Sequence, residues 1–229
     1  ARAIKSEKKP DTPSTTVKKT AEIIAGAKPI NRDVLISSLN QVWPLHPIVA
    51  CLLGPISRRR FGQNQRSVFG FLNSAEPYGF QAFLKETEYE QKALYYPSLL
   101  WDYLKANLEP SILASPDGHK WSLAVDAISR CEIRGGDKMH IELVKCIALI
   151  EMFKERSGLS AELDLLAICV PGLTKAKAKA ALEELEQWSI LLYKKHLKAY
   201  SIYAGSDFDI DTAVDEAGNH IAELDIKDI

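Results

Sequence analysis

Apolar residues recur along this chain at spacings of three and four, and the repeats predict a succession of helices from residue 31 onward. Asn31 or Asp33 suits the cap of a helix carrying Val34, Leu35, Leu39 and Val42. Pro44 and Pro47 mark the next boundary, and Pro47 stands at the first turn of a helix through Ile48, Leu52, Leu53 and Ile56. Further helices are expected over about 64–72 and 79–85, and through Leu99, Leu100, Tyr103 and Leu104. Residues 110–118 are expected to break the chain before a short helix with Trp121, Leu123, Ala124 and Ile128. This half reads as a helical bundle.

After the turn at Gly135-Gly136 the pattern changes. Residues 141–153 are apolar almost all round, the mark of a buried helix, and Ser160 is placed to cap a second one through Leu163, Leu166 and Ile168. Pro171-Gly172 makes a turn, and Thr174 caps a third helix with Ala178, Ala181, Leu182, Leu185 and Trp188 on its apolar stripe. Two strand-like runs follow, 190–194 and 199–203. The fold class expected is therefore mainly α: a lid-like helical bundle, then a winged helix-turn-helix with a small β-hairpin.

Composition adds the limits. The chain has 229 residues, 46% of them apolar, enough for a sizeable core, and no apolar run long enough to span a membrane. Its four cysteines are scattered and form no zinc or disulfide pattern, which suits a reducing cytoplasm. Residues 1–28 hold seven Lys/Arg against three Asp/Glu and read as a basic linker or mobile loop, so that structure is expected to begin after them. The bundle is then assigned to 29–135, the winged helix to 136–217 and an acidic tail to 218–229. The chain opens on Ala1, as a piece of a longer protein would.

Candidate chemistry is sparse. No phosphate loop GxxxxGK[ST], GxSxG, HExxH or GxGxxG occurs, and the five histidines stand apart, so no catalytic or metal site is assigned. Asp207, Asp209 and Asp211 resemble the start of a calcium loop, but Thr212 and Gly218 occupy positions that need glycine and glutamate. They suit helix capping instead. Lys175, Lys177 and Lys179 crowd the first turns of the third helix, against its dipole, and Lys194, Lys195 and Lys198 lie on the hairpin. An anion nearby would relieve that conflict, and nucleic-acid phosphate is one source. A solvated face is the plainer reading, because Glu183, Glu184 and Glu186 share the helix and no Arg or Asn is present to read bases.

Arginines supply the other candidates. Arg58, Arg59 and Arg60 fall at a helix end, where cations complement the dipole, whereas Arg66 falls in the expected first turn of the next helix, where a cation is favoured only beside an external anion. His46, held between Pro44 and Pro47, reads as a rigid donor.

Pro44-Leu-His-Pro47, the run Phe61-Gly-Gln-Asn-Gln-Arg66-Ser67 and Phe71-Leu72 resemble a stretch of large bacterial ATPases of the AAA+/STAND type, many found in phage-defence gene clusters. There it lies in the helical lid after the nucleotide-binding core. The run from Leu143 to Phe153, Leu182-Glu-Glu-Leu-Glu186 and Tyr200 to Asp209 resemble the winged-helix region that follows, so the likeness covers about 31–217. The resemblance implies that Pro44 and Pro47 pack near adenine, that Arg66 is a second sensor for the terminal phosphates, and that Arg58, Arg59 or Arg60 is an arginine finger for a neighbouring subunit. It implies a homo-oligomer and ATP with Mg2+, both bound through a P-loop core that this chain lacks. A DNA-binding regulator, with the first half as an effector bundle, and a winged helix that meets another protein are the alternatives.

Overall fold

The computed structural model describes residues 14–59, 67–73, 75–87, 93–155 and 157–205. Ten helices and one two-stranded antiparallel sheet occur among them. The first element corrects the sequence reading: α1 (Thr15–Ala27) is a capped helix where a linker was expected. Ser14 accepts from the Val17 N–H, and Val17, Ala21 and Ile24 bury one face at helical spacing. The lysine-rich composition hid a regular apolar stripe.

Next come α2 (Arg32–Asn40), α3 (Pro47–Arg58), α4 (Ser67–Asn73) and α5 (Phe80–Glu86). Asn31 caps α2 by accepting from the Asp33 and Val34 amides, as the sequence indicated. The expected break at 110–118 is displaced. Helix α6 (Pro97–Leu113) continues through Pro110, and α7 (Gly118–Ile133) is a long helix rather than a short one. Pro110 has no amide hydrogen to offer the Ala106 carbonyl, yet α6 runs on to Leu113, and the helix carries that loss near its C-terminal end. Trp101 and Trp121 stack at 4.2 Å between these helices, both fully buried.

Helix α8 (Lys138–Phe153) is the spine of the molecule. It buries residues on every side, from Leu143 to Phe153, and packs against α6, α7, α3 and α10. One apolar cluster runs from Ile24 through Trp101 and Trp121 to Leu182 and Leu191, so no separate core divides the chain near residue 135. A short α9 (Leu163–Leu166) follows; Ser160 does not cap it, because the N-cap residue is Glu162, whose amide donates back to the Ser160 carbonyl at 2.8 Å. Thr174 does cap α10 (Lys175–Gln187).

The hairpin pairs β1 (Leu191–Lys194) with β2 (Ala199–Ile202), Tyr193 opposite Tyr200. The outer edge of β2 is also occupied. Tyr200 N–H donates to the Ala161 carbonyl at 3.0 Å and Ile202 N–H to Glu151 Oε2 at 3.1 Å. At the base of the hairpin, Arg130 of α7 donates to the carbonyls of Ser189 and Tyr203. The sheet is thus strapped to the bundle, and no row of β2 amides is left open there.

Candidate functional site

His46 occupies the N-cap of α3 and is completely buried. Its Nδ1 accepts from the Ile48 amide at 3.2 Å, so the ring proton sits on Nε2, which donates to the Ile168 carbonyl at 2.9 Å. Burial pushes its pKa down to about 4, with the Ile168 carbonyl opposing that shift. Both nitrogens are spent inside the protein. The rigid donor read from the sequence thus gives its one ring N–H to the Ile168 carbonyl within the chain. Pro44 and Pro47 are buried beside it, and Pro47 borders a mainly apolar cleft of about 320 Å³ with Trp43 and Tyr96.

Arg59, at the C-cap of α3, is held as firmly. Its Nε lies 3.2 Å from Asp117 Oδ2, and its Nη2 reaches Glu155 Oε2 at 3.4 Å and the Met152 carbonyl at 3.2 Å. The guanidinium ties the end of α3 to the start of α7 and the end of α8. Arg58, on the last turn, is exposed and has no ion-pair partner among the described residues. Pro55, Arg58, Arg59 and Glu155 border a polar cleft of about 280 Å³. Arg60 and Arg66 lie outside the described residues, as do Asp207, Asp209 and Asp211.

The cations of α10 meet carboxylates from within the chain. Lys175 Nζ is 2.6 Å from Asp164 Oδ1 of α9, and Lys179 Nζ is 3.7 Å from Glu183 Oε1 one turn on. Asp164 supplies the anion that the crowded helix start called for. Lys177 is exposed. Glu184, on the same helix, points to α8 instead, 3.2 Å from His140 Nε2. On the hairpin, Lys195 and Lys198 are exposed and Lys194 is half-buried.

Two connections were not foreseen. Glu151 of α8 holds the β2 edge through the Ile202 amide, and its neighbour Met152 accepts from Arg59. Consecutive residues of one helix thus serve the hairpin and the arginine cleft. Nothing local in the sequence marks either contact, since both partners are distant along the chain.

No group of metal-ligating side chains is found among the described residues, and no helix among them is long and apolar enough to cross a membrane. No protein-family model, curated protein or solved structure matches this chain.

Proposed function

We propose that this chain is the lid and winged-helix portion of a larger, oligomeric bacterial ATPase, and that it passes nucleotide state from an arginine cleft to the hairpin. The single observation that carries the reading is the pairing of Arg59 with Met152 and of Ile202 with Glu151 on adjacent positions of α8. A nucleotide phosphate drawing on the arginines at the end of α3 competes with Asp117 and Glu155 for cationic charge. Release of Arg59 then alters the hold on the end of α8, and the hairpin seated on Glu151 moves with it. ATP and Mg2+ belong to a P-loop core of the same polypeptide, and a neighbouring subunit receives Arg58 or Arg60. A role in phage defence follows from the resemblance alone.

Support for a winged helix comes from the order α8, α9, turn, α10, hairpin, and from the Ala161 carbonyl, which accepts from the Tyr200 amide on the outer edge of β2. A DNA-binding regulator that leads with α10 is less favoured, because Asp164 and Glu183 pair with two of its three lysines.

The test is made in the full-length protein. Arg66→Ala and Arg58→Ala are expected to lower ATP hydrolysis at least tenfold while leaving the circular dichroism and melting temperature unchanged. Unaltered turnover in both variants removes the sensor and finger roles. An enclosing coding sequence without a GKS or GKT loop removes the ATPase reading altogether.

A further inference from the structure

A cleft of about 250 Å³ opens where α7, α8 and the hairpin meet. Ala124, Ala148 and Met152 are buried and form its apolar floor, beside Leu123 and Ile202. His119 and Lys120 of α7 and Lys194 of β1 bring cations to the same cleft from elements distant in sequence. Glu151 is the one carboxylate on its described border, and Glu151 Oε2 is engaged by the Ile202 amide. His119 and Lys120 are exposed and Lys194 is half-buried, so their stems line the cleft while the charged ends stand toward solvent. Such a site fits an apolar group flanked by anions.

The chain itself leads a group of that kind to the cleft. Ala204 borders it, and the residues on either side of Ala204 are pinned. Tyr203 N–H donates to the Ile190 carbonyl at 2.9 Å, Arg130 Nη2 donates to the Tyr203 carbonyl at 3.0 Å, and the Tyr203 hydroxyl donates to the Gly205 carbonyl at 3.3 Å. Gly205 has φ 77°, a left-handed conformation that glycine adopts at little steric cost, so the chain changes direction beside the cleft.

Residues 206–229 lie outside the described residues. Their sequence opens Ser206-Asp-Phe-Asp-Ile-Asp211, in which acidic and apolar residues alternate, and the whole stretch holds eight Asp/Glu against one Lys. Phe208 follows Ala204 by four positions, a reach of at most about 14 Å. A cavity of about 150 Å³ admits a benzene ring. The cleft is larger than that, so the Phe208 side chain can enter it.

We infer that residues 207–209 fold back within the same chain and dock in this cleft, with Phe208 on the apolar floor and Asp207 and Asp209 against Lys120 and Lys194. Alternation sets the orientation: neighbouring side chains of an extended segment point to opposite sides, so a ring that enters leaves its acidic neighbours at the mouth. Tethering makes weak contacts sufficient, because a short connection presents the segment at an effective concentration on the order of millimolar. Docked there, the segment fastens the hairpin to α7 and covers the cations of the cleft against outside anions. The inference does not rest on the ATPase reading.

The test is zero-length carbodiimide crosslinking of the full 229-residue chain, with the joined peptides identified by mass spectrometry. Amide bonds from Asp207 or Asp209 to Lys120 and Lys194 are expected to exceed those to the exposed Lys177 of α10 at least tenfold. The tether by itself favours nearby lysines, so Phe208→Ser decides the matter: its connection is unchanged, yet the yield at Lys120 is expected to fall at least fivefold with the circular dichroism unaltered. Phe208→Leu keeps an apolar group and is expected to retain most of the yield. Equal yields in the native chain and Phe208→Ser overturn the inference, as do crosslinks spread evenly over the exposed lysines. Mixing isotope-labelled with unlabelled chain distinguishes the source of the segment. A majority of crosslinks between labelled and unlabelled chains shows that a second copy supplies it and overturns docking within one chain.

Discussion

His46 Nε2 donates to the carbonyl of Ile168 at 2.9 Å across 122 residues of sequence, and the same ring caps α3 through Nδ1. One neutral imidazole therefore fixes where the second half of the chain sits on the first. Its replacement by alanine leaves the Ile48 amide and the Ile168 carbonyl without their partner and opens a cavity at a completely buried position. His46→Ala is expected to cost about 2–4 kcal/mol in urea unfolding. A loss below about 0.5 kcal/mol shows that the bond does not hold the two parts together.

The same ring sets a pH dependence. Burial holds its pKa near 4 in the folded chain against an ordinary value of 6.5, so between these pH values the unfolded chain binds a proton that the native ring refuses. The stabilisation is full above pH 6.5 and is lost as pH falls toward 4. Shifting from pH 7.5 to 5.0 is expected to remove about 2 kcal/mol from this group alone. The measurement is the difference in pH slope between the native protein and His46→Gln. Equal slopes over that range exclude His46 as the source.

Arg59 and Asp117 are expected to behave as a coupled pair. Asp117 is nearly buried while Arg59 is about a quarter exposed, so solvent screening moderates the interaction. Arg59→Met leaves the Asp117 carboxylate short of its partner and is expected to cost about 1–3 kcal/mol. A double-mutant cycle with Asp117→Asn should return a coupling near 1 kcal/mol. Arg58→Ala, on the exposed side of the same turn, should change stability by less than about 0.5 kcal/mol. Additive effects of Arg59→Met and Asp117→Asn argue that the clamp is an incidental contact.

Glu151 is expected to control the hairpin locally. Glu151→Ala removes the acceptor of the Ile202 amide, so hydrogen exchange at Ile202 should accelerate at least tenfold while amides in α6 and α7 keep their protection. Glu151→Gln preserves an acceptor oxygen and should restore most of the protection. Unchanged exchange in Glu151→Ala shows that contacts elsewhere in the sheet suffice to seat β2.

Much of the helical plan was legible. Caps at Asn31 and Thr174, the boundary at Pro47 and the hairpin at 191–202 follow from interactions within a few residues, which sequence spacing records directly. Two errors had local causes as well. The α1 stripe was obscured by lysines on its exposed side, and Pro110 was taken as a stop although α6 continues through it to Leu113.

The functional residues divide along a different line. Lys194, Lys195 and Lys198 could be named from the sequence because they are neighbours along it, whereas Lys120 and Lys154 come to border clefts shared with Lys194 only through the packing of α7 and α8. His46 reads from the sequence as a rigid donor, and its flanking prolines say nothing about depth.

By itself the amino-acid order determined several helix caps and most of the apolar stripes from α2 onward, since those depend on neighbours three or four positions away. Tertiary structure alone decided that His46 is neutral and enclosed, that Arg59 meets Asp117, and that Asp164 balances Lys175. Charge and hydrogen-bond partners are chosen by distance in space, and close packing around α8 brings together residues that the chain keeps far apart.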